Sequence, residues 1–213
     1  MAFVENDRAL AEAFGPSKGT ALRIKQFVLV ALGIMALAIA AKIKVPMFPS
    51  PVPITLGTFA VLTIGATYGP RLGLTTILGY MIIGALGFDV FASSSAENNG
   101  ISYMLGGSGG YLLGYVLAVI YLGWASRRGL DRSIEGMGGA LLVSNVLIYV
   151  PGVFWLNNWI VAGDRFNAEK FETIWAQTMA WGLTPYLIGD LMKLALAALL
   201  VPTLWKLVGK ART

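Results

Sequence analysis

Near its carboxyl end the chain reads Gly182-Leu-Thr-Pro-Tyr-Leu-Ile-Gly-Asp-Leu-Met-Lys-Leu-Ala-Leu-Ala-Ala-Leu-Leu-Val201. Two charged side chains, Asp190 and Lys193, interrupt this otherwise apolar run, and a spacing of three places them on one face of a helix. Central charges in a membrane helix cost at least ~2.5 kcal/mol each, so they usually face a partner, a cavity or a ligand. Asp190 and Lys193 are therefore the first candidates for a binding site, with a purely structural ion pair as the alternative.

The composition predicts a membrane protein. Of the 213 residues, 56% are hydrophobic and 13% are charged, and the mean hydropathy is +0.70, whereas soluble domains have about 25% charged residues. The chain has no histidine and no cysteine, which excludes His or Cys metal sites, disulfides and Ser/His/Asp triads. The basic residues behind the net charge of +5 flank apolar segments, so nucleic acid is not an expected partner.

Apolar runs of spanning length predict an all-α integral membrane protein, a bundle of six transmembrane helices in one domain. The predicted helices lie near 24–43, 54–69, 70–88, 108–126, 137–161 and 182–208. Gly69-Pro70 separates the second from the third, because proline suits the first turn of a helix and disfavours helix at the preceding residue. Residues 1–20 are polar and carry both charges, so we interpret them as a cytoplasmic arm before a membrane domain at 21–213, and not as a signal peptide.

The distribution of Lys and Arg predicts how the helices are oriented. Eleven of these residues lie in the N-terminal arm, the turn after the second helix, the loop after the fourth helix and the carboxyl-terminal tail, against four in the other connections. Cytoplasmic connections carry the excess of basic residues, so we expect both termini in the cytoplasm, residues 89–107 outside and Gly129 inside. Asp190 and Lys193 would then lie roughly 10–15 Å from the outer end of the last helix, at ~1.5 Å per residue.

Two predicted outer connections have unusual chemistry. The loop between the third and fourth helices is rich in glycine and small polar residues, so its backbone N–H groups can approach a ligand closely; a solvated linker is the alternative. The connection before the last helix has apolar residues at helical spacing, namely Phe171, Ile174, Trp175 and Met179. This pattern predicts a short helix at the outer interface, which is either an aromatic anchor or a lid over a pocket.

Small residues inside the predicted helices indicate close helix packing. Gly106, Gly110 and Gly114 repeat every four residues, as at a helix–helix contact. Ala36 and Ala40 form a similar pair, which serves either packing within the bundle or the docking of a partner. The chain has no Gly-x-x-x-x-Gly-Lys-Ser/Thr phosphate loop, so energy for any pumping must come from a partner or an ion gradient.

Five phrases, in order along the chain, resemble the signatures of one family. They are Pro51-Val-Pro-Ile-Thr-Leu56, Gly69-Pro-Arg-Leu-Gly73, Gly84-Ala-Leu-Gly87 with Phe91, Leu105-Gly-Gly-Ser-Gly-Gly-Tyr-Leu-Leu-Gly114 and Ile188-Gly-Asp-Leu-Met-Lys193. From about residue 22 to 208 the chain looks like the BioY biotin transporters, the substrate-binding S components of energy-coupling-factor (ECF) transporters. It departs from that family at Gly57, where glutamine is usual, and at Gly107-Ser108, where Pro-Thr is usual.

The resemblance implies an ECF S-component-like bundle that captures biotin from outside, in the cytoplasmic membrane of a bacterium. Such a protein is not an enzyme and holds no cofactor or metal. Its implied partners are biotin, a membrane coupling protein, ATPases of the ABC type and the lipid bilayer. The alternatives are a stand-alone biotin transporter and a proton-coupled transporter, in which Asp190 is the titrating group.

The chemistry of biotin allows roles to be assigned to the candidate residues. Its cyclic urea has two N–H donors and a carbonyl, and its carboxylate is too distant for one i,i+3 pair to serve both ends. We assign Asp190 to the urea N–H and Lys193 to the urea carbonyl, each through a charge-assisted bond. Asn98, Asn99 and Tyr111 are the next candidates, for the urea edge or the ring face. The biotin carboxylate then meets backbone N–H groups of the outer loop, and the reverse pose, with Lys193 on the carboxylate, is also chemically sensible.

Overall fold

The structure, a computed structural model, describes residues 8–45 and 54–210. The long helices are α1 (Gly19–Lys42), α2 (Gly57–Ala85), α4 (Gly109–Arg127), α5 (Ile134–Ala162) and α7 (Leu187–Lys210). The short helices are α3 (Gly100–Met104) and α6 (Ile174–Gly182). Three 3-10 turns lie at Leu10–Glu12, Leu130–Arg132 and Thr184–Tyr186. Strand β1 (Lys44–Val45) pairs antiparallel with β2 (Ile54–Thr55) beside the end of α1.

The all-α class predicted from the sequence is confirmed. Within the described ranges, four stretches are long and apolar enough to cross a membrane. They are Gly19–Lys42, Gly109–Arg127, Ile134–Ala162 and Ile174–Val208, the last of which includes α6, a 3-10 turn and α7 as far as Val208. The predicted second and third helices are the two parts of α2, and each part is shorter than the ~20 residues of a full span.

A kink divides α2 where the sequence predicts a break. Gly69 has φ 76° and ψ 175°, a conformation that glycine adopts readily because it has no Cβ. Pro70 follows and has no N–H to continue the helical hydrogen bonds. The kink packs against α4, where a Cβ on Gly123 would overlap the backbone of Pro70. A Cβ on Gly73 would lie 3.8 Å from the Cα atom of Gly65, so the chain turns back at Gly69 and the two parts of α2 pack side by side as separate helices.

The contact between α4 and α5 depends on glycine. A Cβ on Gly114 would lie 2.6 Å from the Cα atom of Ile148, and one on Gly110 would overlap the carbonyl oxygen of Pro151. These two glycines thus form the close helix contact that their spacing predicts. Gly106, the first member of the predicted repeat, lies in the turn before α4.

Polar contacts connect different segments at the two ends of the bundle. At one end Arg127 binds Glu12 at 2.7 Å, and Arg132 donates to the backbone oxygen of Arg8 at 3.0 Å. The N-terminal arm and the connection between α4 and α5 therefore meet at the same end. At the other end Lys42, the last residue of α1, pairs with Asp89.

Candidate functional site

A cavity opens at the end of the bundle that carries Lys42. Its volume is about 730 Å³, with its open mouth included, and α2, α4, α5 and α7 contribute to its walls. Five tyrosines line it: Tyr103, Tyr111, Tyr115, Tyr149 and Tyr186. We call it the tyrosine cavity. Its mixture of aromatic walls with a few polar groups suits a small organic solute.

Asp190 and Lys193 both line the tyrosine cavity. The Nζ atom of Lys193 lies 2.8 Å from Oδ1 of Asp190, and their side chains are 12% and 7% exposed, respectively. As their spacing predicts, they share one face of α7. The cavity wall therefore contains a nearly buried ion pair.

Two hydroxyl groups complete the environment of this ion pair. The Tyr149 hydroxyl donates to Oδ2 of Asp190 at 2.6 Å. The Thr58 hydroxyl accepts from Lys193 at 3.1 Å and lies 3.5 Å from Oδ1 of Asp190. These bonds join α2, α5 and α7 around one carboxylate, and they offset part of the cost of burying the two charges.

Sequence reasoning missed Thr58 and Tyr149. Each lies far from Asp190 along the chain, in an apolar segment where a single hydroxyl draws no attention. The one available signal was Tyr149 itself, because a phenol in an apolar helix usually finds a hydrogen-bond partner when it is buried. Nothing in the sequence identifies that partner.

Tyr111, a predicted site residue, lines the cavity. Two contacts that the sequence does not indicate hold it there. Its hydroxyl donates to the backbone oxygen of Gly182 at 2.7 Å and so ties α4 to the end of α6. Its ring meets that of Tyr149 edge to face, with centroids 6.2 Å apart. With the hydroxyl bound to backbone, the ring of Tyr111 is the surface that it offers to a ligand.

Asn98 and Asn99, the other predicted site residues, do not line the tyrosine cavity. Asn98 is exposed, and its backbone oxygen accepts from the N–H of Ser95. The Asn99 side chain donates to the backbone oxygen of Ala96 at 3.3 Å. Instead, the segment between α2 and α4 presents Phe91, Ala92, Tyr103 and Ser108 to the cavity.

A polar cluster fixes the start of this segment to the end of α1. Lys42 donates to Asp89 and to the backbone oxygen of Ser94, and the Ser94 hydroxyl donates to Asp89 at 2.6 Å. The hydrogen bond from Lys42 holds the pKa of Asp89 below its usual range. The loop thus lies against the bundle here and brings Phe91, which is 1% exposed, to the cavity wall.

The short helix predicted before the last span is confirmed as α6, but it begins later than the apolar pattern does. Thr173 caps it by accepting from the N–H of Ala176 at 3.1 Å, so Phe171 precedes the helix. Its buried face carries polar residues, and Gln177 bonds to the backbone at Arg165 and Asn167.

On the opposite face of α6, Trp175 is 44% exposed. Such an outward-facing tryptophan is typical of an interfacial anchor, whereas Gly182 at the end of α6 lines the cavity.

A helical bundle of membrane-spanning length with a buried ion pair in an aromatic cavity defines a membrane protein that binds a small solute. A sequence profile of the BioY family matches residues 15–210. The chain belongs to the BioY family, as its sequence signatures predict.

Relatives from several organisms carry the same family name. A probable biotin transporter BioY of Pyrococcus horikoshii is 33% identical over 86% of this chain and 98% of its own length. A probable biotin transporter BioY of Methanothermobacter thermautotrophicus is 35% identical over 64% of this chain and 83% of its own length. The biotin transporter BioY of Thermotoga maritima is 29% identical over 80% of this chain and 90% of its own length. The names of these relatives describe transporters and not enzymes.

A solved structure has a similar fold. It is the crystal structure of the S-component for biotin from an ECF-type ABC transporter, which superposes on this chain with a TM-score of 0.69. The match covers 89% of this chain and 95% of that one, at 19% sequence identity. The overall arrangement of helices is therefore shared.

Proposed function

We propose that this protein captures biotin from the outer side of the cytoplasmic membrane, as the S component of an ECF-type transporter. One observation carries the proposal: in a chain of the BioY family, a tyrosine-lined cavity contains a nearly buried Asp–Lys pair. Biotin has an apolar ring system and a urea that both donates and accepts. The aromatic walls suit the rings, and the ion pair suits the urea.

The hydrogen-bond capacity of the ion pair supports its assignment to the urea. A carboxylate has about four lone-pair sites. Asp190 accepts hydrogen bonds from Tyr149 and Lys193 and a longer one from Thr58. A lysine ammonium has three donors, of which Asp190 and Thr58 take two. Asp190 thus retains acceptor capacity for a urea N–H, and Lys193 retains a donor for the urea carbonyl.

Tyr111 packs its ring on the fused rings of biotin in this proposal. Its hydroxyl is bound to Gly182, which fixes the ring plane before the ligand arrives. A fixed aromatic wall costs less conformational entropy on binding than a mobile one. Asn98 and Asn99, which do not line the cavity, have at most an indirect role through the loop that they occupy.

The proposed topology has six spans, with the two parts of α2 counted separately, and both termini in the cytoplasm. The basic end of the bundle, where Arg127 and Arg132 meet the N-terminal arm, is then the cytoplasmic end. Residues 1–20 are the cytoplasmic arm and 21–213 the membrane domain. Labelling of single introduced cysteines with an impermeant thiol reagent in intact cells tests this topology at two exposed positions: position 97 reacts and position 128 does not.

The proposed partners are biotin, a membrane coupling protein, ABC-type ATPases and the surrounding bilayer. The chain has no phosphate loop of its own, so ATP-driven transport requires such partners. Within α1, Ala36 is exposed and Ala40 is partly buried, beside the exposed Leu32 and Met35. This exposed face is where the coupling protein docks in the proposal, since small residues allow close helix approach.

Uptake of labelled biotin in cells that lack their own transporter tests the proposed function. We expect uptake to require the coupling protein and ATPases and to resist an uncoupler. Uptake by this chain alone that an uncoupler abolishes would instead establish a proton-coupled transporter. The purified chain should bind biotin in calorimetry and hydrolyse no ATP, and an absence of binding heat would refute the proposal.

A further inference from the structure

A second cleft lies at the opposite end of the bundle from the tyrosine cavity. It encloses about 1450 Å³, with its open mouth included. Its walls come from the N-terminal arm, the first turns of α1 and the part of α2 after Gly69, and Arg127 from the end of α4 closes one side. We call it the basic cleft.

The lining of the basic cleft is strongly cationic. It includes Arg8, Lys18, Lys25, Arg71 and Arg127. Among the described residues, one acidic side chain lines it, that of Glu12, and its carboxylate lies 2.7 Å from Arg127. Since that acid is already paired, an excess of positive charge surrounds the cleft, and the positive charges favour an anion there.

One wall of the cleft is apolar. Leu22 and Leu29 of α1 and Leu72 of α2 line it, and all three are partly buried. Beside them on α1, Ile24 and Phe27 are exposed. The cationic rim and the apolar wall therefore form one amphipathic site, and the wall continues onto the exposed apolar surface of a helix long enough to span a membrane.

We propose that the basic cleft binds an anionic phospholipid, with its phosphate among the basic side chains and an acyl chain along the leucines. Arg and Lys bind phosphate oxygens through charge-assisted bonds, and basic pockets between membrane helices accommodate anionic headgroups. A free phosphate ion uses the cations but not the apolar wall. The bound lipid holds the N-terminal arm against α1 and α2. This site is independent of biotin recognition, which takes place at the other end of the molecule.

Native mass spectrometry of the delipidated protein, titrated with phosphatidylglycerol or with phosphatidylcholine, tests the site. Lys18 and Arg71 are exposed, so Lys18→Gln and Arg71→Gln remove charge without disturbing a core. We expect each to weaken phosphatidylglycerol binding about fivefold, and the double variant more than tenfold, as the attraction of each cation to anionic lipid implies. The matched control is Arg128→Gln with Lys206→Gln, which removes two exposed basic residues outside the cleft. The control should change binding less than twofold.

Several outcomes overturn the proposal. If the protein binds phosphatidylcholine as tightly as phosphatidylglycerol, charge does not determine binding. If the control pair weakens phosphatidylglycerol binding as much as the cleft variants do, the lipid is attracted to the basic surface in general and not to the cleft. If millimolar inorganic phosphate competes for the cleft as effectively as the lipid does, the cleft binds a free anion instead of a lipid. Biotin titration of the same variants shows that they are folded, because the tyrosine cavity is distant from all four substitutions.

Discussion

The carboxylates of Asp190 and Asp131 lie at opposite ends of the molecule and have similar hydrogen-bond and ion-pair partners. Measured over the whole residue, Asp190 is 5% exposed and Asp131 is 1% exposed. Each accepts a hydrogen bond of 2.6 Å from an aromatic side chain, the Tyr149 hydroxyl for Asp190 and the Trp205 indole N–H for Asp131. Each also has a cation within 3.2 Å.

The two carboxylates differ in what lies beside them. Asp190 borders the tyrosine cavity, whereas Asp131 lines neither the tyrosine cavity nor the basic cleft. The Arg132 guanidinium lies 3.4 Å from the centre of the Trp205 ring, which closes the group around Asp131. Burial raises the pKa of Asp131 above its usual range. The Asp131 group thus ties the connection between α4 and α5 to the end of α7.

Burial and ion pairing alone therefore do not identify a binding site in this protein. Both carboxylates have them, and of the two only Asp190 lines the tyrosine cavity. If this difference determines their roles, changes around Asp190 act mainly on biotin affinity, and changes around Asp131 act mainly on stability.

The largest effect is expected at Lys193. Lys193→Met removes the proposed donor to the urea and leaves Asp190 without its cation, so biotin binding should weaken by about 1.5–3 kcal/mol, or roughly 10- to 150-fold. Isothermal calorimetry of the purified protein measures this change. Lys206→Met, on the exposed surface of the same helix, is the control and should leave affinity unchanged. Unaltered biotin binding in Lys193→Met would show that Lys193 is not part of the binding site.

A change at Trp205 should separate stability from binding. Trp205→Phe deletes the N–H that donates to buried Asp131, which should lower the free energy of unfolding by about 1–3 kcal/mol. Biotin affinity should stay within twofold. Thermal melting in detergent compares it with Trp124→Phe, an exposed tryptophan at the same end. Equal melting temperatures for the two variants would show that the Asp131 group does not stabilise the fold.

Tyr149→Phe should have a smaller effect on binding. The carboxylate of Asp190 loses one donor but keeps Lys193 and Thr58, so the expected loss is about 1 kcal/mol, or roughly fivefold. Tyr121→Phe, which removes a hydroxyl outside the cavity, serves as the matched control in the same calorimetry. A loss as large as that in Lys193→Met would mean that the tyrosine contacts biotin directly.

The smallest effect is expected in the loop between α2 and α4. Asn98→Ala and Asn99→Ala should each change biotin affinity less than twofold, because neither side chain lines the cavity. A tenfold loss in either variant would show that the loop closes on the ligand. Calorimetry under the conditions used for the other variants makes the comparison direct.

The sequence predicts some residues of this site and not others, for physical reasons. Asp190 and Lys193 stand out because charge is costly in an apolar helix, and the break at Gly69-Pro70 follows from backbone sterics. Thr58 and Tyr149 depend on how α2, α5 and α7 meet, and no local pattern encodes that. Asn98 and Asn99 were predicted because polar loop residues often bind ligands, and neither lines the tyrosine cavity. The position of Asp131 beside Trp205 likewise appears only once the ends of distant helices are in place.

The double variant Asp190→Asn with Lys193→Met, measured beside both single variants, tests the central claim most directly. Melting temperature and biotin affinity are recorded for all of them. If the pair binds biotin, the double variant folds but binds biotin at least tenfold more weakly than the parent protein. If the pair is only structural, each single variant strands a buried charge and loses about 3–5 kcal/mol of stability, and the double variant recovers it. A stable double variant that binds biotin as tightly as the parent would contradict the assignment of Asp190 and Lys193 to the binding site.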